Sequence, residues 1–368
     1  MKRLVLLGGG HAHVEVLRSF ALQPVADCEI ALVSPNDQFL YSGMVPGYIA
    51  GHYALEDCVI PLTLLAQRAG ARFHRTRAAL VDPGRREVTL ADGGALSYDV
   101  LSIDIGARTF TGDAKGVTRD AILVRPLEDA LQAWSGVHAR VAEGGVRSIT
   151  LVGGGAAGVE LALAMHHRLG SFGEGAPHVR IVTDALEPLP ELAPGARVRA
   201  ARILAAHGIG LHCGHRVREV RPDSVRLEGG NEFASDATFW SAGAAAPDLI
   251  RESGFATDQR GFLLTDAALR SVSHPEVLAA GDCATQQGLE RPKAGVFAVR
   301  AGPALAANLR AAVSGARLAP HVSKKRYLAL LSTGGRHAIG AWNGLSFEGA
   351  WAWRWKDRID RKFIARYR

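Results

Sequence analysis

The sequence predicts an α/β protein made of two Rossmann-like three-layer domains, the second inserted in the first, plus a small C-terminal β/α region. Three observations carry that prediction. The run LVLLGGGHAHVEVL at residues 4–17 returns in degraded form as TLVGGGAAGVELAL at 150–163. Gly8 and Gly153, Gly10 and Gly155, and Glu15 and Glu160 all share an offset of 145, which marks an internal duplication. After Gly261 the segment GFLLTDAALRSVSHPEVLAAGDCA resumes a different domain from the one before it, so the first domain is discontinuous. The expected division is 1–115 with 255–320, then 116–254, then 321–368.

Taken in order, 3–7 is a buried strand, a Gly-rich turn follows, and 11–22 continues as a helix before a second strand at 29–34. The segment QFLYSGMVPGYIAGHY at 38–53 has the aromatic, Gly and Pro content of an irregular loop packed on a ring system. Residues 87–90 and 98–105 alternate like strands around DPGR and DGG turns, and Gly106 closes the last of them. The second unit repeats the plan with a start at 148, a helix at 156–169 and a polar loop, GSFGEGAP. A strand at 179–183, a helix near 196–207 and a strand at 238–241 complete it before Ala242-Gly243. A helix at 295–312, paired strands from 327 and a terminal helix end the chain.

Composition narrows the class. With 368 residues, 48% of them hydrophobic, the chain buries full cores. No stretch approaches the ~18 unbroken apolar residues of a membrane span. The opening Lys2-Arg3 run is cut by glycines, so it reads as a first strand and not as a targeting segment. Four cysteines, Cys28, Cys58, Cys213 and Cys283, lie singly, which argues against a disulfide scaffold, a zinc site or a local dithiol and fits a cytoplasmic protein. The net charge is +7, and residues 321–368 hold eleven Lys or Arg against three acids, a surplus of eight. Four of six tryptophans share that tail. Trp351, Trp355, Ile359, Phe363 and Tyr367 follow at i+4 steps with Arg354, Arg358, Arg361 and Arg368 on the far side. Lys356, Lys362 and Arg366 intrude on the stripe, and their stems can lie along it with the charge on lipid phosphate. Such a helix suits the surface of an anionic membrane more than nucleic acid; the alternatives are packing on its own domain or in a homodimer.

The chemistry lies in the turns. Glycines between a buried strand and a helix let backbone N–H groups and the helix dipole meet a pyrophosphate, so two such turns imply two dinucleotides. With VLAAGDCA near the end, the pattern resembles the two-dinucleotide flavoproteins of the pyridine nucleotide-disulfide oxidoreductase type. GGGHAHVEVL, YSGMVPG and RPKAGVFAVR are most similar to the FAD-dependent module fused to selenide, water dikinase in some bacteria. YLALLSTGGRHAIG and SFEGAWAWRWKDRID resemble the end of type II NADH dehydrogenases and, less closely, of sulfide:quinone reductases.

The resemblance implies FAD on Gly8, Gly10, His11, Ala12, Ser34, Pro46, Gly106, Ala107, Asp282, Lys293 and Ala294. It implies NAD(P)H on Gly153, Gly155, Ala156, Ala157, Gly158, Glu160, Asp184, Ala242 and Gly243. Glu160, near the nicotinamide, and Lys293, near the flavin, are the candidate catalytic residues; a dipole-stabilised surface glutamate and an exposed loop lysine are the structural alternatives. Asp282 also suits a helix N-cap. Three departures stand out. His13 replaces the third glycine of the first turn, and the second strand ends Ser34-Pro35-Asn36-Asp37, with the ribose carboxylate missing or displaced to Asp37. In the second unit Thr183 takes the acidic position, and Asp184 beside it favours NADH. His11 and His13 lack companion ligands, so no metal is expected.

The expected reaction is hydride transfer from NADH to FAD and delivery of electrons to a separate acceptor, first of all a quinone. A selenium compound or other small oxidant is the second choice, and a flavin-binding redox sensor is the alternative of another class. The expected location is cytoplasmic, peripheral on the inner face of the membrane if the tail docks there.

Overall fold

The computed structural model describes residues 1–322 and 326–368; Lys324 and Lys325 of the basic tail, and the stretch of the third region at 323–325, lie outside the described residues. Strand β1 (Lys2–Leu7) leads through the glycines into α1 (His11–Leu22), followed by β2 (Cys28–Val33) and a short helix α2 (Val45–Ile49). β3 (Ala71–His74) and β4 (Val100–Ile103) follow. The second unit holds β5 (Ile122–Leu123), β6 (Ser148–Val152), α3 (Ala156–Leu169), β7 (His178–Val182), α4 (Pro194–Ala206), β8 (Gly210–His212) and β9 (Ala237–Trp240). The chain then returns with β10 (Val277–Ala279) and α5 (Gly295–Ser314). It ends in β11 (Ala329–Ser332), β12 (Ala338–Trp342), β13 (Leu345–Gly349) and α6 (Ala350–Ala365).

The first sheet is five parallel strands in the order β10-β4-β1-β2-β3, and the second, also parallel, runs β5-β9-β6-β7-β8. In both, the strand that feeds the glycine turn is central. Leu4 to Leu7 and all of β6 are buried, as a strand covered on both faces requires. The duplication extends beyond the turns. A three-stranded antiparallel meander (Ala78–Asp82, Glu87–Leu90, Ala95–Ser97) precedes β4, and its counterpart (Val217–Val220, Ser224–Leu227, Glu232–Ala234) precedes β9. These meanders share no readable sequence.

Helices α1 and α5 cross in near contact, since a Cβ on Gly302 would lie 2.7 Å from the Glu15 Cβ. The 38–53 segment is more regular than expected: it contains a short strand, a turn of 3-10 helix and α2. Buried Val45 and Ile49 pack with Val124, Leu161 and Met165 of the second unit. β11, β12 and β13 form an antiparallel sheet. One of its faces meets α4 through Arg199 and Arg202, which pair with Glu348 at 3.3 and 2.5 Å.

The terminal helix packs on its own chain. Ala352, Asp360, Ile364 and Tyr367 are buried, so the predicted apolar stripe divides: Tyr367 faces inward while Trp351, Trp355 and Ile359 stay exposed. Lys356 does not reach outward either, pairing with Asp360 at 2.7 Å, and Arg366, though exposed, is tied back to buried Glu15 at 2.8 Å. Among the described residues no helix is long and apolar enough to cross a membrane.

Candidate functional site

The first glycine turn is built around a residue that the sequence reading passed over, Asp104, just past the end of β4. Its Oδ2 accepts the backbone N–H groups of Ala12 at 2.8 Å and His13 at 3.0 Å, capping α1. Three glycines enclose it: a Cβ on Gly8 would strike the Asp104 backbone, one on Gly10 would lie 2.5 Å from the carboxyl, and one on Gly281 would strike Oδ1. Gly8 also holds φ +91°, which a side chain disfavours. Burial pushes the Asp104 carboxyl up to about 7 against the two N–H bonds.

His13, in place of the third glycine, is fully buried. Its Nδ1 lies 2.6 Å from the Gly8 carbonyl, which can only accept, so Nδ1 carries the proton and Nε2 accepts from the Ser102 hydroxyl at 2.8 Å. The imidazole therefore ties the turn to β4, where a glycine would have let the helix lie closer. His11 sits edge-on to Phe39 at 4.7 Å and Tyr41 at 5.9 Å; burial pushes both histidines down to about 4, leaving them neutral.

The late Gly-Asp pair reaches the same place. Asp282 lies 3.5 Å from Arg125 Nη2, and burial raises its carboxyl while Arg125 and then Lys293 hold it down. Arg125 Nη1 is buried without a partner. Lys293 Nζ donates to the Ala284 carbonyl at 2.7 Å and Thr285 Oγ1 at 2.9 Å and stands 3.8 Å over the Phe262 ring. Ala294 caps α5, whose first residue, Gly295, approaches His11: a Cβ there would lie 3.1 Å from Nε2. A side-chain-free cradle at two helix N-termini, a half-buried aspartate and an orphaned guanidinium N–H fit an anionic dinucleotide carrying hydroxyls, as FAD does.

Other predicted residues of this group stand at its edge. Ser34 is buried at the end of β2 and donates to the Asn36 carbonyl, while Asp37 is half-buried and pairs with Arg75 at 3.3 Å. Gly106, at φ +72°, opens into free space with Ala107 after it, and Pro46 is buried in α2.

The second turn keeps its third glycine for a visible reason: a Cβ on Gly158 would collide with the Gly153 carbonyl, so α3 lies directly on the turn. Gly153, at φ +116°, abuts Ser241 and Ala242, with Gly243 at φ +66° beyond. Ala156 N–H donates to Glu191 Oε1 at 2.9 Å, and Gly155 faces the same carboxylate. Ala157 follows on the first turn of α3. Thr183 is buried and receives the Ala185 N–H at 3.2 Å, leaving Asp184 as the exposed acid past β7.

Glu160 is partly buried where α3 meets the tail. Its Oε1 accepts the Ser332 N–H at 2.7 Å, and burial pushes its carboxyl up to about 7, with Lys356 and the Ser332 bond opposing and Asp360 reinforcing. Lys356 Nζ donates to Asp360 at 2.7 Å and the Gly43 carbonyl at 2.5 Å, and Tyr41 donates to Asp360 at 3.1 Å. Tyr53 donates to Asp357 at 2.8 Å. Sequence reasoning found Glu160 but not this cluster, because Lys356 and Asp360, an i,i+4 pair, look like ordinary surface charges on a basic helix. Cys58 and Cys283 are buried singly, and burial pushes both thiols up to about 12. Among the described residues no group of three or more His, Cys, Asp or Glu is placed to hold a metal.

Residues 2–306 match the family described as pyridine nucleotide-disulphide oxidoreductase. Demethylphylloquinone reductase from Synechocystis is 26% identical over 291 residues, which cover 76% of this chain and 71% of the relative. External NADH-ubiquinone oxidoreductase 2 of Saccharomyces cerevisiae is 24% identical, over 78% of this chain and 58% of its own. Among solved structures, NDH2 from Plasmodium falciparum in complex with NADH aligns at a TM-score of 0.83 and 14% identity, covering 99% of this chain and 97% of that one. The sulfide:quinone oxidoreductase of Aquifex aeolicus aligns at 0.81 and 19%, covering 100% and 92%. Two parallel sheets headed by glycine turns, a late Gly-Asp pair returning to the first turn and a match over most of the sequence lead to one conclusion: the chain belongs to the pyridine nucleotide-disulphide oxidoreductase family.

Proposed function

We propose that the protein is an FAD-dependent NADH dehydrogenase that passes electrons to a quinone. The observation that carries the reading is the joint presence of two glycine-lined helix N-termini and, just beyond the second, a buried acid–base cluster assembled by the tail on Glu160. The names of the Synechocystis and yeast relatives point to the same acceptor class. FAD, when bound, takes two electrons from a hydride donor and releases them to an acceptor.

The chain's own residues bind, orient and move protons. The first turn and the α1 dipole hold one pyrophosphate; Asp282, Arg125 and Lys293 stand beside it. The second turn would hold the other, taking the Ala156 N–H that Glu191 Oε1 now accepts at 2.9 Å. Asp184 accepts from a ribose 2′-hydroxyl and repels a 2′-phosphate, which favours NADH. A quinone takes up two protons as it becomes a quinol. Glu160, with its carboxyl pushed up to about 7, carries a proton in about half of the molecules at neutral pH and so can both give and regain one, and Lys356 Nζ and Tyr41 OH, joined through Asp360, lie beside it to pass another. No thiolate is available at neutral pH from the buried Cys58 and Cys283, which disfavours sulfide as substrate.

Docking to a lipid surface is part of the proposal. Trp342, Leu345, Trp351, Trp355 and Ile359 are 53%, 71%, 49%, 41% and 42% exposed. Register places them together: Trp342 pairs with Leu345 and Gly340 with Phe347, and the Phe347 ring stacks on Trp351 at 4.8 Å. Arg354, Arg358 and Lys362, each three residues beyond one of the stripe's members, are exposed without an ion-pair partner among the described residues.

The test is steady-state NADH oxidation by flavin-loaded protein with short- and long-tailed quinones, selenite and oxygen. Quinone turnover well above the others supports the reading. Preference for selenite favours a selenium reductase, and uniformly slow reoxidation with a partner held in one redox state favours a sensor.

A further inference from the structure

We infer that Asp104 takes up a proton when the FAD pyrophosphate enters the first turn, so that the cofactor binds less tightly as pH rises. The inference rests on the reading that FAD occupies this turn and says what the turn then demands of its own carboxyl. Asp104 already holds the N–H groups of Ala12 and His13, the donors that an α1 helix end offers to an anion. It is 3% exposed and boxed in by Gly8, Gly10 and Gly281, so it has no room to swing away when a second anion arrives. Two negative groups sharing one helix end in a desolvated site cannot both stay ionised. FAD's pyrophosphate stays ionised at neutral pH, so the proton goes to the carboxyl. A protonated Asp104 still accepts both N–H bonds through its carbonyl oxygen.

The surroundings leave Asp104 as the group that titrates. From α1, His13 faces it, neutral because burial holds its imidazole down to about 4 and its ring nitrogens are engaged by Gly8 and Ser102. His11, on the same turn, is held to about 4 as well. From the Gly281–Cys283 turn come the Asp282 carboxylate, which reinforces the proton on Asp104, and the Cys283 thiol, pushed up to about 12 and uncharged. α5 presents Ala298 near Gly281. The two nearby cations, Arg125 and Lys293, answer Asp282. With the free carboxyl at about 7, uptake of one proton makes the dissociation constant about tenfold larger at pH 8 than at pH 6.

The experiment titrates FAD into reversibly deflavinated full-length protein at pH 6, 7 and 8, following flavin fluorescence. Calorimetry in buffers of different ionisation heat counts the protons taken up at pH 8. Wild-type protein is expected to show the tenfold change and uptake approaching one proton. Asp104→Asn, which keeps an oxygen for the two N–H groups, is expected to bind at pH 8 nearly as tightly as wild type at pH 6, with less than about twofold change between them. Should that variant fail to fold, Asp282→Asn decides: proton uptake that persists there keeps the assignment to Asp104, and uptake that disappears overturns it. A flat wild-type profile without proton uptake overturns the inference while leaving FAD binding intact. Failure to bind FAD at any pH overturns instead the reading on which it rests.

Discussion

Replacing Lys356 by methionine removes the ammonium that sits among Asp360, Glu160 and Tyr41. Its Nζ lies 2.7 Å from Asp360, and the two side chains are 11% and 6% exposed. Burial works against the ammonium, but Asp360 and then Glu160 outweigh it and raise its pKa; burial raises both Asp360 and Glu160, with Lys356 the main opposing influence. Breaking a buried pair by removing one partner costs about 3–5 kcal/mol. Tyr41 still donates to Asp360, which places Lys356→Met near the lower end, about 3 kcal/mol at pH 8. The pH dependence has a definite sign. Without Lys356 the folded-state values of Asp360 and Glu160 move further above their unfolded ones, so folding takes up protons and stability falls as pH rises through the folded values. The loss at pH 5.5 is therefore expected to be roughly half that at pH 8. Thermal melts of the FAD-saturated variant at both pH values measure this, alongside Lys356→Met/Asp360→Leu, which buries no unpaired charge and recovers most of the loss. A single variant that melts within about 1 °C of wild type at pH 8, or loses equally at both, refutes the buried cluster.

Gly155→Val is expected to fold and keep its flavin but lose reduction by NADH, because a Cβ there meets only Glu191 at an ordinary 3.6 Å and blocks the pyrophosphate. Gly158→Ala, whose Cβ strikes the Gly153 carbonyl, is expected instead to melt the second unit, seen as loss of ellipticity and protease resistance. Asp184→Ser relieves about 1 kcal/mol of repulsion and so is expected to raise kcat/KM for NADPH roughly fivefold without a matching gain for NADH. Trp355→Ser/Ile359→Ser is expected to lower the melting temperature by only a few degrees, these residues being partly exposed, and to weaken binding to anionic vesicles at low salt by at least about tenfold. Unchanged vesicle binding removes the patch from the proposal.

What was legible in the sequence was what repeats or alternates. α1 and α3 appear in the structure with the bounds read from their glycines, and the class follows from two strand-turn-helix runs at one offset. The paired meanders were less visible, since short antiparallel strands share a pattern but no motif. Asp104 was missed because it falls inside the run 98–105, which alternates like a strand, and only the close packing of three glycines shows that the strand ends before it and its carboxyl caps α1. The tail was half legible: its i+4 stripe is real, yet Asp360 belongs to the core and Trp351 to the surface, because Tyr41 and Gly43, over 300 residues earlier, supply the polar partners that draw one side of α6 inward.

Electron flow from NADH through FAD to a quinone is followed by mixing anaerobic flavin-loaded protein with one equivalent of NADH and then with a quinone. The oxidised-flavin absorbance is expected to bleach on the first addition and return on the second, and Gly155→Val to do neither step with NADH while still being reduced by dithionite. Flavin that stays oxidised with NADH, or that is bleached and then not reoxidised by any quinone, contradicts it.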